Sequence, residues 1–137
     1  MTRHPTLAAV LCTAWLAGCA GGMGDMYSQP YALFEQYEAS QIAELQPALV
    51  VAIDGKSRSA GDYFEPVTPG IHQVELSIPG PPGMSSPGRE TLQIDAKPCV
   101  RYRFGARRSS ATARDWHATV EAAEPIGECR KKFPSVK

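Results

Sequence analysis

From Ala48 to Ala122 the chain is a series of short runs of β-branched and aromatic residues, broken by turn signals every eight to twelve residues. That spacing suits strands and leaves little room for long helices. "ALVVAID" closes on Asp54-Gly55, a dipeptide that accepts the positive φ of a tight hairpin. "DYFEPV" reads as an irregular strand, with Pro66 marking an edge or bulge. In "IHQVELSI" the residues His72, Val74, Leu76 and Ile78 share one face, and Gln73, Glu75 and Ser77 the other. "ETLQIDA" follows. In "CVRYRFGA" Val100, Tyr102 and Phe104 turn inward while Arg101 and Arg103 turn outward. "WHATVEA" places Trp116, Ala118 and Val120 on one face. With Gly and Pro at 12 each in 137 residues, the expectation is a mostly β protein: a small antiparallel β-sandwich of about six strands.

The segments around these strands are less regular. Residues 31–45 carry Tyr31, Phe34, Tyr37, Ile42 and Leu45 at loosely helical spacing, with Pro47 as a stop. This predicts a short helix, with an extended segment from Ile42 onward as the alternative. The stretch has no Lys or Arg, so its aromatic stripe reads as a cover for the core and not as a membrane-lying helix. "PGPPGMSSPG", residues 79–88, is a loop, because its four prolines remove four backbone donors. The last residues form a basic tail. Formal net charge is zero, which gives no general attraction to nucleic acid. Residues 19–80 carry eight acidic and two basic side chains, and residues 81–137 carry six acidic and eleven basic ones. Interleaving of the two halves in a sandwich is expected to cancel part of this polarity.

At the N-terminus Arg3 and His4 precede an apolar run from Leu7 to Leu16, too short for the roughly 20 residues that cross a bilayer. Leu16-Ala17-Gly18-Cys19 then resembles the lipobox of bacterial lipoproteins. The resemblance implies removal of residues 1–18 as a signal peptide and attachment of acyl chains to Cys19. Several such chains make a stable anchor, at about 0.8 kcal/mol per buried CH₂. Ala20, where an Asp would retain the chain in the inner membrane, implies the outer membrane, facing the periplasm. On this reading Cys12 leaves with the signal and Cys19 becomes a thioether. Cys99 and Cys129 then remain as a pair in an oxidising compartment, where a disulfide is expected. The organisation expected is a signal peptide (1–18), a lipidated Cys19 with tether and short helix (19–46), a β-domain (47–129) and a basic tail (130–137).

The run "SQIAELQPALVVAIDG…VTPGIHQVEL…CVRYRFGA…DW" resembles a group of small Gram-negative lipoproteins with no established activity. Its Ile-Asp-Gly hairpin and Pro-Gly-Ile-His portions are also similar to PEGA-type β-domains of bacterial envelope proteins. The resemblance implies a fold and a location but no reaction.

Few residues suggest chemistry. No nucleophile elbow, phosphate loop or zinc-protease motif occurs, so no enzyme and no cofactor are expected. His72 stands in the Pro-Gly-Ile-His turn and reads as a half-buried histidine bonded to backbone; His117 reads as outward. Neither lies at metal-ligand spacing from a cysteine or carboxylate, and no metal site is expected. Arg101, Arg103, Arg107, Arg108 and Arg114 form a cationic group suited to an anion or an acidic partner; the plainer reading is a solvated, charged sheet edge. The function expected is a non-catalytic structural or interaction module of the cell envelope. It would be held to the membrane by its lipid and would meet an envelope protein partner, with loops 79–88 and 105–115 as the contact surfaces. The alternative is a small-ligand or metal-binding lipoprotein using His72 or the carboxylates of residues 54–65.

Overall fold

A computed structural model of the protein describes residues 26–38, 41–58, 66–78 and 88–136. Residues 1–25, with Cys12 and Cys19, lie outside the described residues, as do most of "DYFEPV" and loop residues 79–87. Two four-stranded sheets face each other, which makes the chain a small β-sandwich. The first sheet holds β1 (Leu33–Gln36), β2 (Leu45–Pro47), β7 (Val100–Arg107) and β8 (His117–Pro125). The second runs β4-β3-β5-β6, with β3 at Leu49–Ile53, β4 at Lys56–Ser57, β5 at Gly70–Ser77 and β6 at Arg89–Ala96. A short helix, α1 (Gly127–Lys132), follows β8.

The period-two runs behave as their side chains dictate. Val74, Leu76, Ile78, Tyr102 and Phe104 enter a shared core with Val50, Ile94, Trp116 and Ala118. Val120 is the exception, 41% exposed although it is paired with buried Phe104. A bulge just beyond it leaves Glu121 as the extra residue of β8, between Val120 and Ala122. Asp54 (φ 50) and Gly55 (φ 76) make the β3–β4 turn, as an Asp-Gly hairpin requires.

Among the described residues of 31–45 there is no helix: β1 stands in the first part, and β2, from Leu45, joins the sheet as in the extended alternative. β7 is the reason. One edge of β7 pairs along its length with β8, and its other edge would expose unsatisfied donors and acceptors. β1 covers the first half in parallel, Leu33 to Gln36 against Arg101 to Phe104, and β2 covers the second half antiparallel. The two meet at the Phe104 carbonyl, which accepts from Tyr37 N (2.8 Å) and Ala48 N (3.2 Å). Phe34 is thereby driven inward, edge-on to Phe104 at 5.5 Å and to Tyr102 at 5.8 Å. An isolated helix of this length is marginal in water, whereas β1 gains both a ladder and a buried ring. The sheet thus includes a parallel pair and begins at Leu33, ahead of the expected boundary at 47. The sheet ends with β8 at Pro125, but packing continues beyond it: Phe133 and Val136 of the basic tail lie on buried Tyr31, Cys99, Ile126 and Cys129.

The connections give the sandwich two poles. At one lie the chain from Met26 to Ala32, the Asp54-Gly55 turn, the start of β7 and α1. Ties there include the Ala32–Val67 bridge and Cys99 N donating to the Tyr31 carbonyl at 2.7 Å. At the other lie the end of β7, the start of β8, Ser77 paired with Arg89, and residues 108–116 between β7 and β8. There Glu90 accepts from Ala118 N at 2.6 Å and joins the two sheets. We call these the tether pole and the distal pole.

Candidate functional site

At the tether pole, β3 and β5 pair with Ile53 opposite Val74, which brings His72 to the Asp54 turn. His72 Nδ1 lies 2.6 Å from Asp54 Oδ2, and Nε2 lies 2.7 Å from the Thr68 carbonyl. Asp54 Oδ1 accepts from Gln73 N at 2.8 Å. A carbonyl and an ionised carboxylate only accept, so the arrangement favours the imidazolium form of His72, in which both ring nitrogens donate. The Gln73 N–H, and then His72, hold the Asp54 carboxyl below its ordinary value. Burial of the ring opposes its charge, but the bonds to Asp54 and Thr68 outweigh burial and raise His72 above its ordinary value. The ring also meets Phe34 edge-on at 5.8 Å, so it helps to seat β1.

This arrangement fixes a pH dependence. A raised histidine binds more protons folded than unfolded, so its stabilisation is complete below the unfolded value near pH 6.5 and is lost as pH rises through the folded value. Thermal midpoints measured from pH 5.5 to 9 fall across this upper window, and the fall flattens in His72→Gln. An unchanged slope in that variant contradicts the assignment.

Two adjoining clefts of about 390 and 440 Å³ open here and share Met26, Pro66, Val67 and Thr68. His72 and Asp54 line only the smaller cleft and are already engaged there: both ring nitrogens and both Asp54 oxygens are bonded. Among the described residues no group of three His, Cys, Asp or Glu side chains stands together as a metal set. Asp62 and Glu65, the other carboxylates of the expected ligand set, lie outside the described residues. His117 is exposed, 3.7 Å from Glu90.

The five arginines do not converge on one site. Arg101 and Arg103 project from the outer face of β7, where Glu35 lies between them at 3.1 and 3.8 Å and Glu124 reaches Arg103 at 3.4 Å. Arg107, toward the distal pole, is held through two nitrogens by Glu121, at 2.8 and 2.5 Å. The bulge aims Glu121 there, and Gly105 makes the room: a Cβ at this position would stand 2.7 Å from both Glu121 Cγ and Leu45 Cδ1. The hydrogen bond from Arg107 holds the Glu121 carboxyl below its ordinary value. Arg108 is half-buried, its amide bonded to the Glu44 carbonyl at 2.9 Å, and Arg114 is exposed in the distal loop. The acidic N-terminal half thus supplies Glu35 to neutralise arginines of the basic half, and Glu75 pairs with Arg89 in the same way at 3.0 Å.

Cys99 and Cys129 form a disulfide, with Cα atoms 5.3 Å apart across a sequence separation of 30. Both cysteines are buried, and the bridge ties α1 to the start of β7. No protein-family model, curated protein or solved structure matches the chain.

Proposed function

We propose that the protein is a lipoprotein, anchored through Cys19 to the periplasmic face of the outer membrane, that serves as a non-catalytic interaction module of the envelope. The observation that carries this reading is the buried Cys99–Cys129 bridge, because structural disulfides belong to exported proteins. The likeness of Leu16-Ala17-Gly18-Cys19 to a lipobox supplies the anchor, and Ala20 the choice of membrane. The side chains best suited to acid–base work, His72, Asp54 and Glu121, are engaged in holding strands together. The chain enters the sandwich at the tether pole, so the distal pole points away from the anchor. It presents residues 108–116, the end of β5 and the start of β6 to a partner, as recognition loops on a rigid scaffold do.

A photo-crosslinker at Ser110 or Thr112, activated in intact envelopes, captures one protein partner in a discrete adduct. The same probe at Gln93, on the outer face of β6, does not. Capture at Gln93 with none at the distal positions contradicts the assignment of the contact surface.

A further inference from the structure

We propose that α1 is a docking surface for anionic phospholipid headgroups, which fixes the domain upright on the membrane that anchors it. The inference rests on the reading of Cys19 as the lipid attachment point. Arg130, Lys131 and Lys132 crowd the last turn of α1, and all three are exposed. Among the described residues no carboxylate lies within ion-pair distance of Arg130 or Lys131, whereas Arg89, Lys97, Arg101, Arg103 and Arg107 each have one. Glu128 is the one acidic side chain of the helix.

The helix is held rigidly at the pole where the chain enters. Cys129 is bonded to Cys99, and Lys132 Nζ donates to the Tyr27 carbonyl at 2.7 Å. Beside that bond Met26 and Tyr27 are 50% and 42% exposed, and such side chains suit the zone between headgroups and water. Seven peptide steps separate Cys19 from Met26, so a chain anchored at Cys19 keeps this pole within about 25 Å of the acyl anchor. Within that reach the nearest abundant anion is the headgroup layer itself, and a polybasic patch beside a lipid chain is a recognised second membrane signal.

The test uses the mature chain from residue 19 with Cys19→Ser, mixed at low salt with vesicles of phosphatidylcholine alone or with phosphatidylglycerol added. The protein partitions onto the anionic vesicles and leaves them as salt is raised. Arg130→Gln with Lys131→Gln lowers that partition about 25-fold, at about fivefold per charge. Arg114→Gln, at the distal pole, leaves it unchanged. Both exposed positions spare the Lys132–Tyr27 bond, and an unchanged thermal midpoint confirms folding. Equal binding to both vesicle types, or no effect of the double variant, overturns the proposal. The acylated protein gives an independent arm: on phosphatidylglycerol vesicles trypsin cleavage after Arg130 and Lys131 is slowed relative to phosphatidylcholine, and equal rates count against docking. Failure of the anchor reading shows separately, as an unmodified Cys19 in protein from cells, and does not alter the vesicle result.

Discussion

Replacing Cys99 and Cys129 together by alanine lowers the thermal midpoint by about 10–20 °C. The bridge closes a sequence separation of 30, which restricts the unfolded chain by about 3–4 kcal/mol on the loop-entropy estimate. The native state depends on it locally as well. Cys99 sits at φ 58, where residues with a Cβ are uncommon, and its backbone is shared between Tyr31 and Ile126, accepting from Ile126 N at 2.9 Å. Tyr31, Ile126 and Cys129 pack round it as a satellite cluster apart from the main core. The loss therefore loosens α1 and the start of β1 first, while the β5–β6 and β7–β8 ladders hold. Hydrogen exchange of the variant shows early loss of protection at residues 126–133. A midpoint within 2 °C of the parent protein would contradict a stapling role.

The strands that could be read directly were those with one wet and one dry face. β5 and β7 place Val74, Leu76, Tyr102 and Phe104 in the core as expected, although Ile71 of β5 is exposed and Ser77, expected on its wet face, is buried. β1 could not be read this way. Ala32 and Phe34 alternate over too few residues to outweigh the helical spacing of Tyr31, Phe34 and Tyr37, and what decides the matter is the open edge of β7, some 70 residues away. α1 was equally silent, being six residues long with Cys129 its one buried side chain. For the candidate site, the inward face of His72 and the turn at Asp54 were each legible. Their contact was not, because it depends on the pairing of β3 with β5. Arg101 and Arg103 were legible as outward, but Arg107, expected in the loop 105–115, belongs to β7, and Glu35, Glu121 and Glu124, which neutralise Arg101, Arg103 and Arg107, come from other strands.

On the proposed anchor reading, the chain from residue 19 with Cys19→Ser has no acyl acceptor and is expected to lose membrane attachment. The effect is the largest in the account. Several acyl chains at about 0.8 kcal/mol per CH₂ make release negligible, whereas one chain alone is marginal. The three cations of α1 do not substitute for them. At physiological ionic strength the screening length is about 8 Å, and each cation contributes only about 1 kcal/mol. The chain without lipid is therefore expected in the soluble fraction after lysis in physiological buffer, and a fully processed Cys19→Ser protein that stays with the membrane would contradict the anchor.

The most direct measurement is the mass of the N-terminal peptide of the protein extracted from envelopes. The account predicts a peptide that begins at residue 19, with a diacylglyceryl group on the Cys19 sulfur and an acyl group on its amine. A peptide that begins elsewhere, or that carries an unmodified Cys19, would contradict it.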